Sequence, residues 1–143
     1  MPESLEVSDT IPATPAEVYA AFLDSLKHSA MTGSRASVDP RIGGKFTAWD
    51  DYISGTTVAL GPNHRITQKW RTTDFPAGAP DSVLEIVLEK TASGTKVTLK
   101  HTNIPEGQAE QYKDGWKEFY FDPMKAYFKK KQIGAKKAKT TGA

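Results

Sequence analysis

Between residues 109 and 128 apolar side chains recur every three or four positions. They are Ala109, Tyr112, Trp116, Phe119, Tyr120, Pro123 and Tyr127, and Gln111, Lys113, Asp114, Lys117, Glu118 and Lys125 fall largely between them. This spacing predicts one long amphipathic helix. A helix with several aromatics on one face is unstable alone in water, so it requires a broad apolar surface to lie on. Pro123 lacks an N–H and crowds the carbonyl four residues back, which predicts a kink or break near Phe119. Gly115 costs the helix about 1 kcal/mol relative to alanine, and predicts either close contact with a sheet or open space beside Trp116.

The middle of the chain supplies the surface. Leu5, Val7 and Ile11 alternate with polar residues and predict a first strand. Thr14-Pro15-Ala16-Glu17 has the form of a capping box with proline at the first helical position. Val18, Tyr19, Phe22, Leu23 and Leu26 form the stripe of the helix it starts, and a second short helix over 25–31 ends at Gly33. Residues 34–44 read as irregular. Strands follow over 45–49, 52–60, 65–73, 82–91 and 95–103, joined by short turns and therefore antiparallel. A turn at Ser93 sets Leu88 opposite Val97, Ile86 opposite Leu99 and Leu84 opposite His101. Ile66, Gln68, Trp70 and Thr72 share the inner face of their strand, and Arg65, Lys69 and Arg71 the outer one. Ile53, Gly55, Thr57 and Ala59 form the inner face of the strand before it.

Composition narrows the chemistry. The chain has 143 residues and no cysteine, enough for one domain with a real core and without thiol redox chemistry, disulfides or zinc–thiolate sites. No apolar run is long enough to cross a membrane and no leader pattern is present, so the expected location is cytoplasmic. The net charge is +2, yet Lys129, Lys130, Lys131, Lys136, Lys137 and Lys139 contribute six positive charges at the end, leaving −4 for residues 1–128. The organisation expected is one domain over 1–131 and a disordered basic tail over 132–143. That tail has no interleaved aromatic or arginine, so no nucleic-acid partner is expected.

The element order resembles the helix-grip, or START-like, α+β architecture: a curved antiparallel sheet of about six strands around a long C-terminal helix, with two shorter helices after the first strand. Gly43-Gly44-Lys45-Phe46, Ile53-Ser54-Gly55, Trp70-Arg71, Ile104-Pro105 and Gly115-Trp116 resemble the motif series of the C-terminal domain of the activators of heat-shock protein 90 ATPase. The resemblance implies a non-enzymatic binding protein, a co-chaperone-like module with a heat-shock protein 90 type chaperone as partner. The family's separate N-terminal domain, with its main activating contacts, has no counterpart in these residues.

Candidate sites divide between two faces. An inner cavity between sheet and helix is expected to involve Phe46, Thr57, Gln68, Trp70, Ile86, Leu99, His101, Tyr112, Trp116 and Phe119, and to take a small hydrophobic ligand. The outer sheet and its loops offer Lys45, Trp49, Arg65, Lys69 and Arg71 as contacts for a protein partner. His28 and His64 are expected to be exposed and His101 to point inward; none has a partner at metal-ligand spacing, so no metal, cofactor or catalytic residue is assigned. A cyclase or hydrolase would need His101 or Gln68 in an open pocket beside a second titratable group. Asp50 and Asp51 read as turn formers pointing to opposite sides. A monomer is expected.

Overall fold

The computed structural model describes residues 2–141, with side chains through Lys131; the expectation of a disordered tail over 132–143 lies outside the described side chains. Seven strands form one antiparallel sheet in the order β1-β7-β6-β5-β4-β3-β2. They are β1 (Glu3–Ile11), β2 (Ser37–Val38), β3 (Lys45–Ala48), β4 (Ile53–Gly61), β5 (Arg65–Thr72), β6 (Ser82–Thr91) and β7 (Gly94–Ile104). Helices α1 (Pro15–Leu23) and α2 (Ser25–Thr32) follow β1, and α3 (Ala109–Trp116) leads through a π-helical turn (Lys117–Phe121) into α4 (Asp122–Thr141). This is the helix-grip arrangement, a curved sheet closed around the C-terminal helix. Among the described residues no helix is long and apolar enough to cross a membrane.

Local chemistry sets the elements. Thr14 accepts from the Glu17 N–H at 3.1 Å while the Glu17 carboxylate accepts from the Thr14 N–H at 3.0 Å, closing the capping box with Pro15 in the first turn. Asp24 ends α1 in an extended conformation and caps α2 through its side chain, so the chain turns between them. Leu26 therefore leaves the α1 stripe and stands 83% exposed on α2. Gly33, at φ +81°, closes α2 in the left-handed conformation that glycine adopts without strain. Helix α3 has no side-chain cap from Gln108; the Glu3 carboxylate of β1 accepts from the Ala109 N–H at 3.0 Å instead. Hydrogen bonds from the Ala109 and Gly107 backbone hold that carboxyl below its usual range.

The expected β6–β7 register is present: Leu88 pairs with Val97, Ile86 with Leu99 and Leu84 with His101. Two features depart from expectation. Ser37 and Val38 pair with Thr47 and Phe46, adding a short seventh strand within residues read as irregular. A bulge between Thr57 and Ala59 shifts the register of β4, so Ala59 turns out to solvent while Thr57 stays buried.

The C-terminal helix also departs from a uniform period. Its buried positions are Tyr112, Trp116 and Tyr120, then Phe121, Met124 and Phe128. The single-residue step from Tyr120 to Phe121 is what one residue inserted into an α-helix produces. The π turn supplies it: the Asp122 N–H donates to the Lys117 carbonyl, five residues back. The wider turn comes just before Pro123, where an α-helix has a missing donor and a ring clash. Phe119 is consequently half exposed, and Tyr127 is half buried rather than central.

Candidate functional site

The first half of the C-terminal helix is latched to the sheet by polar bonds. The Tyr112 hydroxyl donates to Gln108 Oε1 at 2.7 Å and accepts from Thr72 Oγ1 at 2.6 Å, while Gln108 Nε2 donates to the Asp74 carbonyl at 2.8 Å. Nearer the surface, Gln111 Nε2 donates to Asp74 Oδ2 at 2.9 Å and to the Tyr52 hydroxyl at 3.2 Å, and Tyr52 donates to the same carboxylate oxygen at 2.6 Å. Burial raises the pKa of Tyr112 and Tyr52, so both hydroxyls keep their protons.

A second polar chain runs under the helix. Trp116 Nε1 donates to His101 Nδ1 at 3.2 Å, and His101 Nε2 lies 2.8 Å from Ser82 Oγ, which donates to the Trp70 carbonyl at 2.6 Å. An indole nitrogen only donates, so Nδ1 of His101 is the acceptor and Nε2 carries the proton. The ring is fully buried, and burial lowers its pKa to about 3. His101 is thus a neutral link in a one-way chain of bonds.

His28 is buried, contrary to the expectation of exposure. Its Nδ1 donates to the Phe22 carbonyl at 3.1 Å and its Nε2 accepts from the Tyr120 hydroxyl at 2.8 Å. Burial lowers its pKa as well. Sequence reasoning missed it because Lys27 and Ser29 flank it, and only the long-range partner Tyr120 identifies its place.

Beside this packed region a cleft of about 390 Å³ opens between β4, β5 and the helix. Trp70, Tyr112, Trp116 and Tyr120 form its deep wall, Trp49, Tyr52 and Ile53 one side, and Gln111, Gly115 and Phe119 the helix side. Seven of these ten residues are aromatic. Trp70 and Trp116 lie 5.4 Å apart between ring centroids and Trp116 and Tyr120 4.9 Å, a continuous aromatic floor. At the entrance Trp49 meets Phe119 edge to face at 5.2 Å. A Cβ placed on Gly115 would meet only Phe119, at 3.7 Å, so the helix borders open space here rather than lying in close contact with the sheet.

The turn carrying Trp49 is held unusually. Trp49, Asp50 and Asp51 all have positive φ, at 52°, 58° and 74°, a run that non-glycine residues adopt at a cost. Arg35 holds it from outside, with Nε 3.2 Å from Asp50 and Nη2 3.3 Å from Asp51. The two carboxylates therefore converge on one cation, where an extended strand end would have sent them to opposite sides. Trp49 Nε1 is buried without a hydrogen-bond partner.

The candidate residues separate accordingly. Trp70, Tyr112, Trp116 and Phe119 are brought together in the cleft. Phe46, Thr57, Gln68, Ile86, Leu99 and His101 are buried outside its wall, filling the core. Trp49 belongs to the cleft rather than to the outer sheet. Lys45 and Lys69 flank Thr56 in one row across β3, β4 and β5, and Arg65 is exposed on the same strand as Lys69. Arg71 is committed to Asp81 at 2.8 Å and lies over the Phe75 ring. Among the described residues no group of three or more His, Asp or Glu side chains is placed to hold a metal ion.

Fold and cleft define a helix-grip domain with an aromatic groove beside its long helix. The chain belongs to the Activator of Hsp90 ATPase homolog 1-like protein family, whose model matches residues 12–129. It is 27% identical over 124 residues to the human activator of 90 kDa heat shock protein ATPase homolog 1, and 27% identical over 126 residues to the Dictyostelium discoideum homologue. These alignments cover 87% and 88% of this chain but 36% and 33% of the relatives, so it spans about a third of their length. Among solved structures, an Hsp90 activator from Plasmodium falciparum is similar at a TM-score of 0.78 and 26% identity, covering 87% of this chain and 95% of that one. CalU16 from Micromonospora echinospora shares the fold at a TM-score of 0.74 and 23% identity, covering 92% of this chain and 80% of that one.

Proposed function

We propose that this chain is a non-enzymatic binding module of the Hsp90 ATPase activator type, acting on a heat-shock protein 90 type chaperone. The observation that carries the reading is the family match itself, which covers residues 12–129 and so includes strands β2 to β7, both short helices and the helix latch. The outer face of β3–β5 is the proposed contact, because Lys45, Lys69 and Arg65 stand exposed there while Arg71 is already paired. Charged groups at such a rim govern encounter and register with an acidic partner. The test is titration against the full-length cognate chaperone, with its ATPase rate followed in parallel. Lys45→Glu with Lys69→Glu is expected to weaken binding by roughly tenfold or more. No binding at high micromolar concentration overturns the reading.

The cleft favours a second reading, a receptor for a small ligand with an apolar body. Its volume falls in the range of small-molecule sites, and aromatic walls are their usual lining. A ligand at a hundredfold excess over its dissociation constant should stabilise the fold by about 2.7 kcal/mol. At Gly115 an added Cβ makes only an ordinary contact with Phe119, and Gly115→Leu, which extends a side chain from there toward the cleft, should abolish that gain.

A further inference from the structure

Most of the cleft's polar groups are spent on partners in its walls, the exception being the unpartnered Trp49 Nε1. Tyr52 donates its hydroxyl proton to Asp74, Tyr112 to Gln108 and Tyr120 to His28, and Trp116 gives its indole proton to His101. The Gln111 amide donates to Tyr52 and Asp74. Apart from that one indole N–H the cleft is left with aromatic rings, whose faces carry the negative side of the quadrupole. None of the ten lining residues is positively charged. The polar cluster at the rim converges on a carboxylate, Asp74, which is itself exposed. The charge of −4 on residues 1–128 has the same sign.

We propose that the cleft binds a planar organic cation: a flat aromatic or heteroaromatic body bearing a quaternary or protonated nitrogen. The body lies against the Trp70–Trp116–Tyr120 floor, passing the Trp49–Phe119 pair, and the positive end is directed toward Asp74. Desolvated cation–π contacts with several rings favour the charged ligand over a neutral one of the same shape. A carboxylate ligand, by contrast, would meet the negative faces of the rings and the charge of Asp74. This inference rests on the small-ligand reading of the cleft and adds the ligand's charge to it.

The test compares thioflavin T, a planar benzothiazolium cation, with its neutral analogue lacking the ring N-methyl group. Each is titrated into the full chain by calorimetry at low ionic strength, with the three tryptophan indole resonances followed by NMR. The cation is expected to bind at one site about tenfold more tightly than the neutral analogue. Gly115→Leu should remove both, and Asp74→Asn should weaken only the cation, by severalfold. Equal or tighter binding of the neutral analogue at a site lost in Gly115→Leu overturns the cation inference and leaves the ligand reading standing. If neither compound binds, both fall. Thioflavin T binding that survives Gly115→Leu unchanged places it outside the cleft and also overturns the proposal.

Discussion

Acidification should destabilise this protein well before its carboxylates titrate, and His101 is the reason. In the folded chain its Nδ1 accepts from Trp116 and its Nε2 donates to Ser82, the ring is fully buried, and its pKa is lowered to about 3. In the unfolded chain the imidazole titrates near 6.5. Between those values the unfolded state holds the extra proton, so stability rises with pH and falls as pH drops. The full contribution is present above the unfolded value. Lowering the pH from 7 to 5 should remove about 2 kcal/mol, and the loss should reach about 4 kcal/mol near pH 3. His28, whose pKa is also lowered by burial, adds a loss of the same sign. Glu3 and Asp39 also have lowered pKa values, so their contributions are lost as acid protonates them, and the interval from pH 7 to 5 isolates the imidazoles. Urea unfolding at pH 7, 6 and 5 measures the slope, and His101→Gln should reduce it to the part that His28 contributes. A midpoint unchanged between pH 7 and 5, or an NMR titration placing His101 near 6.5, would refute the argument.

Other perturbations address the packing. Trp116→Ala removes a ring from the centre of the helix–sheet contact and the donor to His101, and should cost about 3–5 kcal/mol in chemical denaturation; a loss below about 1 kcal/mol would contradict the central role of this side chain. Gly55→Ala should prevent folding or cost several kcal/mol, because the new methyl runs into the Lys69 carbonyl oxygen and the Phe46 ring, as circular dichroism would show. Gly115→Ala should do the opposite, raising stability by about 0.5–1 kcal/mol, since the added Cβ makes only an ordinary contact with Phe119.

Local signals in the sequence carried much of the architecture. The capping box at Thr14, the stop at Gly33 and the alternation along residues 82–103 each act within a few residues, and the β6–β7 pairing follows from its turn. What escaped was governed by one-residue changes of phase. The bulge after Thr57 and the π turn before Pro123 each add a residue to a regular period, so Ala59 and Phe119 move outward while Phe121 and Met124 move in. A reading with a fixed period assigns such residues to the wrong face. The candidate site was legible in part for the same reason. Trp70, Tyr112 and Trp116 lie on regular stretches, whereas Trp49 enters the cleft only through three consecutive left-handed residues, for which Asp50 and Asp51 are a weak signal. His28 needed Tyr120, 92 positions away, to explain its burial.

The extra residue between Lys117 and Phe121 makes the two ends of the C-terminal rod answer to different neighbours. Carry the same residues through in a continuous α-helix, without the wide turn, and everything downstream rotates by about 100°. Met124 and Phe128 would then face water, and Lys125 would lose its 2.8 Å bond to Asp9 on the opposite edge of the sheet. No single side-chain replacement mimics that rotation. The wide turn and the extra residue therefore belong together: removing one residue from this span leaves Met124 and Phe128 in phase on an unbroken α-helix, whereas adding one throws them out of it.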